Sequence, residues 1–562
     1  TGGWVDQKLG YEHLRRAADR GHSLAMTFVG DQHLKGKWVD KDRFSGVEWY
    51  RRAMPRLQEL AERGDPMAQV QYGNMLEEGL GVAANLQAAV DWYHQAAEQG
   101  HPAGMTEYGR QLETGKGVEA NLEEAVRLFT AAAEQGHADA MGELAGAYYR
   151  GEGVEKDLSL AAQWCRRGVK INDPWCQAEL GTYYRRGDGV TRDFDQAAQL
   201  LRKAAEGGDN WANYSLGRLY LDEDYAGRDE RRGFDYLRQA ADLEEDDAYS
   251  GIASCYYNGR GVEQDYEEAL KWYRRAADEA GEGNAMAWVG SMYADGEGTE
   301  KSAEEAIKWY RKAADENIAW AANNLGALYA RGDGVEKDDE EALRWFHKAA
   351  EMGSATAMDW IGDFYDDGRA VEEDNAEAVN WWKRAGEAGD TNAMERLGSR
   401  YAGGYGGVDE DGEQAVYWFK KAATEHDRLW SQFRLGEIYA EGEIRTRDDA
   451  EALKWFRKVA ATPVEKDNRD EIGKAENWIG LMYESGRGVA KNPSEAVRWY
   501  QRAAENGDGT AMYNLGRAYR HGIGVARHRQ QAIDWYTKAK SEARYDIRKL
   551  AEKELQELDA DN

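Results

Sequence analysis

A small residue returns along this 562-residue chain at an almost fixed interval, and that interval constrains the fold more than any other feature. Most members follow one another by 36 residues, and the longest gap is 44. Fourteen copies at such a period indicate a solenoid of stacked repeats. We call this series the glycine column: Gly30, Gly73, Gly109, Ala145, Gly181, Gly217, Ala253, Gly290, Gly326, Gly362, Gly398, Gly436, Gly480 and Gly516.

Each unit has the pattern of two helices. In the last unit, residues 511–520 carry apolar residues at helical spacing, Gly522 and Gly524 interrupt the pattern, and residues 530–539 resume it. The second helix often begins with a capping box, a polar cap followed three residues later by glutamate. These boxes are Asn121/Glu124, Asp265/Glu268, Ser302/Glu305 and Asp338/Glu341. The sequence therefore predicts an all-α chain of antiparallel helix hairpins.

The second helix of most units carries an aromatic pair that is followed by alanines. Large rings opposite glycine and alanine allow two helices to approach closely. We therefore predict that the rings form the core, packed against small residues of the neighbouring hairpin, and not a ligand site. The pairs include Trp49-Tyr50, Trp92-Tyr93, Trp272-Tyr273, Trp309-Tyr310, Trp345-Phe346, Trp455-Phe456, Trp499-Tyr500 and Trp535-Tyr536.

Composition excludes several classes of protein. The chain has 104 acidic and 73 basic side chains, a net charge of −31, so we expect no nucleic-acid partner. Its 42% hydrophobic content argues against disorder, and no apolar run approaches the roughly 20 residues of a membrane span. Three cysteines exclude a disulfide-stapled scaffold. Cys165 and Cys176 lie on consecutive predicted helices, either as a disulfide or as two buried thiols.

The sequence lacks recognisable catalytic chemistry. It contains no HExxH, GxSxG, CxxC or phosphate-binding GxxxxGK[ST] motif. Its ten histidines are scattered without the spacing of a metal site. We therefore expect no catalytic residues, no metal, no cofactor and no enzymatic activity.

The repeated pattern resembles the Sel1-like repeat, a relative of the tetratricopeptide repeat. Residues 285–298 (AMAWVGSMYADGEG) with 306–314 (AIKWYRKAA) match it closely, and the resemblance extends from Trp4 to about Ala539. It implies a right-handed α-solenoid, or superhelix, of about fourteen antiparallel helix-turn-helix repeats. It also implies an adaptor in bacterial host interaction, envelope complexes or secretion, or in eukaryotic quality control. Cysteine-rich relatives with penicillin-binding or β-lactamase activity suggest an alternative function, although this chain lacks their cysteine pairs.

The resemblance also suggests how the chain is organised. We expect residues 1–24 to be the second half of a truncated repeat, 25–542 to be tandem repeats, and 543–562 to be a capping helix and tail. Insertions fall near 54–64 and near 461–474, the latter a longer loop or a hinge. Because the chain begins inside a repeat, we expect missing upstream sequence, and the alternative role is a structural module serving an upstream domain. The resemblance favours export to the periplasm or cell surface over the cytoplasm.

In tetratricopeptide-like solenoids the first helices line the concave face, so partner binding is expected there. The columns on these helices vary in chemistry, and tryptophan, tyrosine and arginine dominate binding hot spots. We hypothesise a concave groove, with packing of each tryptophan on its neighbouring unit as the alternative. The acidic chain suggests a protein, peptide or glycoprotein partner with a basic patch, bound by a monomer. The candidate residues are Trp175, Trp211, Tyr214, Trp320, Trp430, Phe433, Arg110, Arg185, Arg218, Arg517 and Arg520.

Overall fold

The computed structural model describes residues 2–36, 39–442 and 446–560, with side chains from residue 10 onward. Thr1 and residues 561–562, parts of the expected N-terminal half-repeat and C-terminal tail, lie outside the described residues. The chain is 73% helical, and the described residues form thirty helices and no strand. They divide into two compact units, Thr1–Ala280 and Gly281–Asn562.

Two kinds of helix alternate along the chain. A helices carry the glycine column and are α2 (Ser23–Lys35), α4 (Pro66–Glu78), α6 (Pro102–Thr114), α8 (Ala138–Arg150), α10 (Pro174–Arg186), α12 (Trp211–Tyr220), α14 (Ala248–Asn258), α16 (Gly283–Asp295), α18 (Ala319–Arg331), α20 (Ala355–Asp367), α22 (Thr391–Gly403), α24 (Leu429–Glu441), α26 (Arg469–Ser485) and α28 (Gly509–His521). We number the repeats by these helices, so that repeat 1 begins with α2 and repeat 14 with α28.

B helices follow the A helices and carry the aromatic pairs. They are α1 (Gly2–Asp19), α3 (Arg43–Glu62), α5 (Leu86–Glu98), α7 (Leu122–Glu134), α9 (Leu158–Lys170), α11 (Phe194–Gly207), α13 (Glu230–Asp242), α15 (Tyr266–Asp278), α17 (Ala303–Asp315), α19 (Asp339–Glu351), α21 (Asn375–Glu387), α23 (Gly412–Glu425), α25 (Asp449–Ala460), α27 (Pro493–Glu505) and α29 (Arg529–Glu542), before a final α30 (Tyr545–Ala560). Within each unit every helix packs on the next, which confirms the predicted all-α solenoid.

The predicted helix caps are present. The side chains of Asn121 and Asp265 accept hydrogen bonds from the backbone N–H three residues on, at 3.1 Å and 3.0 Å. The glycines between A and B helices adopt left-handed backbone, as at Gly187 (φ 83°) and Gly189 (φ 65°). A Cβ on Gly189 would lie 2.0 Å from the carbonyl oxygen of Leu158, which begins the preceding B helix. Glycine is therefore required both by conformation and by this close approach between repeats.

The second ring of each aromatic pair forms the core as predicted, whereas leading tryptophans such as Trp92 and Trp499 are half-buried, and the predicted partner of the core ring is wrong. Phe129 is fully buried against Gly109 of its own hairpin, where an added Cβ would lie 2.5 Å from the ring. Tyr93 packs on Gly73 in the same way. A ring is long enough to fill the space between antiparallel A and B helices, so it contacts its own glycine. Small residues mediate the contact with the next repeat, as where Ala96 meets Gly104.

Successive A helices also touch each other. Such contacts join α4 to α6 and α10 to α12 in the first unit, and α16 to α18 and α24 to α26 in the second. The described B helices make no comparable contact with one another. In a curved array the elements that approach most closely lie on the inner side. The A helices therefore line the concave face of each unit.

The two insertions lengthen helices. Residues 54–64 extend α3 to 20 residues, and residues 461–474 form a loop and the first turns of α26, which has 17 residues. The final helix α30 packs on α28 and α29 and buries Ala551 and Leu558. Throughout the described ranges, no helix has the length and apolar character needed to cross a membrane.

Candidate functional site

The four tryptophans of the proposed groove stand at the starts of A helices and none is buried. Trp175 is 42% exposed and Trp430 is 37% exposed, while Trp211 and Trp320 are half-buried. Some also touch the preceding repeat. The ring of Trp175 lies over Gly142, where an added Cβ would be 2.8 Å away. Trp320 donates from Nε1 to Oδ1 of Asn284 at 3.3 Å. Neighbour packing and partial exposure therefore coexist in this column.

Five of the eleven candidate residues lie together in repeats 5 and 6. We call Trp175, Arg185, Trp211, Tyr214 and Arg218 the repeat 5–6 cluster. The rings of Trp211 and Tyr214 are 6.3 Å apart, and Arg218 donates to the Tyr214 hydroxyl at 2.9 Å. Arg185 donates to Oδ2 of Asp222 at 3.4 Å. The cluster thus combines partly exposed rings with guanidinium groups on two adjacent A helices.

A cavity of about 260 Å³ opens beside this cluster. Trp175 and Trp211 form two of its walls, and Thr182 and Glu179 contribute polar groups. The hydroxyl of Thr182 is buried and has no hydrogen-bond partner among the described residues. Burial raises the pKa of Glu179 to about 7. The remaining lining residues are Gly146, Tyr149, Arg150, Tyr183 and Arg186. The volume of this cavity suits a single inserted side chain.

The charges around Arg185 are unbalanced. Burial is the largest effect that lowers its pKa, and the positive charges of Arg218 and Arg186 lower it further. Asp222 opposes this effect. Arg186 donates to the hydroxyl of Tyr149 at 3.2 Å. Three guanidinium groups therefore lie close together with one carboxylate at hydrogen-bond distance of Arg185.

A second groove lies in repeats 11 to 14. Tyr405 is exposed, and with Trp430 it lines a cavity of about 480 Å³ and an adjoining one of about 870 Å³. Phe433 forms only the floor, because it is 6% exposed and packs on Phe456 at 6.0 Å between ring centres. The sequence hypothesis placed Phe433 on the surface of the groove, and the structure places it in the core.

Family comparison identifies the repeat. A model described as the Sel1 repeat matches fifteen segments, residues 4–22, 23–53, 66–101, 102–137, 138–173, 176–209, 212–244, 246–280, 283–318, 321–354, 355–390, 391–427, 431–461, 473–508 and 509–542. The chain belongs to the Sel1 repeat family. Proteins with Sel1 repeats generally mediate protein–protein interactions, and the family scaffold is typically non-catalytic.

Solved structures of Sel1 repeat proteins resemble this chain. A protective antigen present in uropathogenic Escherichia coli strains is 28% identical, covering 84% of this chain and 93% of that chain, with a TM-score of 0.47. A Sel1 repeat protein from Oxalobacter formigenes is 34% identical, covering 45% of this chain and 98% of that chain, with a TM-score of 0.38. Chitin synthase regulatory factor 3 of Schizosaccharomyces pombe is 36% identical over 87 residues, which is 15% of this chain and 8% of that protein.

Most of the candidate arginines connect adjacent Sel1 repeats through ion pairs. Arg110 donates from Nε to Glu143 on the next A helix at 2.7 Å. Arg517 binds Glu484 on the preceding A helix at 2.7 Å. Arg520 binds Glu554 and Glu557 of α30, the latter at 3.0 Å. Arg218 differs, because no carboxylate in the described part of the chain forms an ion pair with it. Sequence columns alone do not reveal these partners, which come from another repeat.

The cysteine pair is not bridged. Cys165 and Cys176 are both buried free thiols. The Cys165 thiol, as a hydrogen-bond partner, and burial raise the pKa of Cys176. This outcome corresponds to the second of the two interpretations of the sequence, a pair of small buried side chains.

Tyr405 was missed by the sequence hypothesis. The signal for it was present, because Gly398 and Gly436 are 38 residues apart instead of 36. One of the two extra residues lengthens the loop after α22, and the ring of Tyr405 lies against Gly403 and Arg400. A departure from the repeat period thus marks Tyr405, which lies outside the A-helix columns from which the candidate residues were chosen.

Proposed function

We propose that this chain is a non-enzymatic scaffold that binds a protein, peptide or glycoprotein partner on the concave A-helix face. The observation that supports the proposal is the retained exposure of the tryptophan column. Rings of the B-helix core such as Phe129 and Tyr500 are buried, whereas Trp175 and Trp430 stay exposed on A helices. Exposed aromatic side chains beside arginines are typical of binding hot spots.

Both units offer such a surface. The repeat 5–6 cluster lies in the first unit, and the groove with Tyr405 and Trp430 lies in the second. A solenoid can bind an extended partner without rearranging its fold, because the binding face is built from rigid helices. The resemblance stated above leads us to propose an envelope, secretion or host-interaction setting, which fractionation of cells producing the full-length protein would test.

The central experiment is a comparison of captured partners. The immobilised chain is incubated with an extract of the organism that encodes it, and bound proteins are identified by mass spectrometry. The test variant carries Trp175→Ala, Trp211→Ala, Trp320→Ala and Trp430→Ala together. We expect it to lose the partners that the unchanged chain retains.

A matched control removes apolar side chains elsewhere. Phe44, Leu122, Leu243 and Tyr417 are exposed residues on or next to B helices, and each is changed to alanine in the control. Circular dichroism and thermal unfolding verify that both variants fold. Equal recovery of partners by the unchanged chain and the tryptophan variant would contradict a concave binding face.

A further inference from the structure

One pair of positions on adjacent A helices holds opposite charges in repeats 13 and 14 and like charges in repeats 5 and 6. It is formed by the residue four after the glycine column and the residue one after the column in the next repeat. In repeats 13 and 14 these are Glu484 and Arg517, which form an ion pair at 2.7 Å. In repeats 5 and 6 they are Arg185 and Arg218. The pair in repeats 5 and 6 therefore holds two cations, whereas the equivalent pair in repeats 13 and 14 is neutralised.

The neighbouring side chains leave this positive charge incompletely compensated. Asp222 contacts Arg185, while Arg218 has the Tyr214 hydroxyl as its hydrogen-bond partner. Arg186 is a third cation, and its partner is the Tyr149 hydroxyl, which in turn donates to Asp188 at 3.1 Å. Glu113 and Glu152 bind Arg150, and the remaining carboxylate of the cavity is Glu179, which lies near Arg186 and is kept partly protonated near neutral pH by burial. Like charges held together are unfavourable unless an anion joins them.

The adjacent cavity supplies an independent indication of a ligand. Thr182 lines the cavity, its side chain is more than nine-tenths buried, and its hydroxyl has no hydrogen-bond partner among the described residues. Buried polar groups without partners are uncommon in native proteins. Trp175 and Trp211 border the same cavity, so an inserted side chain would contact two aromatic rings beside Thr182.

We infer that repeats 5 and 6 bind an acidic segment of a partner protein, with an aspartate or glutamate carboxylate between Arg185 and Arg218 and a neighbouring side chain in the cavity bordered by Trp175 and Trp211. This inference rests on the proposed scaffold function and specifies its partner at one site. The partner segment inferred at this site is acidic, whereas the net charge of −31 of the whole chain suggests a basic partner. Arginine pairs bind carboxylates through directional, charge-assisted hydrogen bonds.

Peptide binding to the full chain tests the inference. Fluorescence anisotropy is measured with a fluorescein-labelled peptide, Gly-Glu-Asp-Phe-Glu-Asp-Gly, and with matched peptides in which the acidic residues are replaced by Gln and Asn or by Lys. We expect the acidic peptide to bind at least tenfold more tightly than either. Preference for the neutral or the lysine peptide would overturn the inference.

The decisive variant is Arg218→Glu, which recreates at this site the opposite charges of Glu484 and Arg517. We expect it to keep or raise the melting temperature, because Arg185 gains a partner, and to weaken acidic-peptide binding at least tenfold. Arg498→Glu makes the same charge change on a B helix, where the side chain is 77% exposed, and should leave binding unchanged. Equal losses in the two variants, or undiminished binding by Arg218→Glu, would refute the site.

The two proposals can fail separately. If the acidic peptide does not bind but the tryptophan variant still loses its captured partners, the acidic specificity is wrong and the scaffold function stands. If the tryptophan variant loses nothing and the peptide binding depends on Arg218, repeats 5 and 6 hold an acidic site that does not depend on the tryptophan column. Failure of both experiments refutes both proposals.

Discussion

Arg517 donates from Nη2 to both carboxylate oxygens of Glu484, at 2.8 Å and 2.7 Å, across the boundary between repeats 13 and 14. The hydroxyl of Tyr500 donates to the same carboxylate at 2.8 Å. A single side chain thus connects α26, α27 and α28. Such a carboxylate couples the core ring of one repeat to the concave face of the next.

Glu484→Arg should weaken this boundary. The substitution removes both interactions, places two cations together and leaves the Tyr500 hydroxyl without its acceptor. We expect the local free energy of opening of α26–α28 to fall by about 2 kcal/mol, as measured by hydrogen exchange. Glu495→Arg, at an exposed pair with Arg498 on α27, should change it by less than about 0.5 kcal/mol. A comparable effect of the two variants would show that the boundary pair has no special role.

Gly189→Ala should destabilise the array more than another left-handed glycine does. Its Cβ would meet the Leu158 carbonyl oxygen at 2.0 Å, whereas a Cβ on Gly136 (φ 90°) has nothing within 4 Å. We expect a loss of about 1–2 kcal/mol for Gly136→Ala from conformation alone. Gly189→Ala should lose at least about 3 kcal/mol because the repeats must also separate. Denaturant unfolding followed by circular dichroism compares them, and equal losses would argue against the close approach.

Asp359 should make the second unit less stable as the pH rises. The side chain is 7% exposed, and burial raises its pKa to about 7 from an ordinary value near 3.8. Between these values the unfolded state ionises while the folded state keeps its proton, so stability falls as pH rises and the loss is complete above pH 7. Asp359→Asn should therefore stabilise the protein by about 2 kcal/mol at pH 8 and hardly at pH 4.

Thermal unfolding at pH 4 and pH 8 provides the measurement for this carboxyl group. Asp367→Asn, an exposed change on the same helix, is the control and should show little effect at either pH. Asp359→Asn removes the contact of Arg396 with Asp359 at 3.4 Å, but Asp363 remains as a partner of Arg396 at 2.8 Å. A stability gain from Asp359→Asn that is the same at both pH values would exclude ionisation as its cause.

Glu179 should make acidic-peptide binding depend on pH. Burial is the main cause that raises its pKa to about 7, Asp209 raises it too, and Arg186, Arg150 and a hydrogen bond with Tyr183 lower it. Protonation between pH 8 and pH 6 removes a negative charge from the cavity while the peptide stays ionised. We expect affinity to rise about threefold to tenfold over this range, since one charge contributes about 1 kcal/mol. Anisotropy titrations of Glu179→Gln should show tight binding at pH 8 and a flat profile. A retained slope in that variant would assign the pH dependence to another group.

The sequence was sufficient for the architecture because local rules repeat. Gly109 and Phe129 recur in register with a capping residue such as Asn121, and each satisfies a requirement within one hairpin. The candidate site was harder to predict. Phe433 shares a column with half-buried Tyr214, yet it is buried, because burial depends on how α24 and α25 pack. The ion pair of Arg110 with Glu143 spans 33 residues, which no column within a repeat reveals.

Because the core ring of most repeats fits against a glycine of its own hairpin, each such repeat carries both halves of its internal core. Duplication of a segment of about 36 residues would therefore add a ring together with its socket, and the alanine–glycine contacts at either end would meet equivalent surfaces. The array can lengthen by copying without redesign of its interior. Divergence after such copying would then be concentrated in the A-helix positions that face a partner.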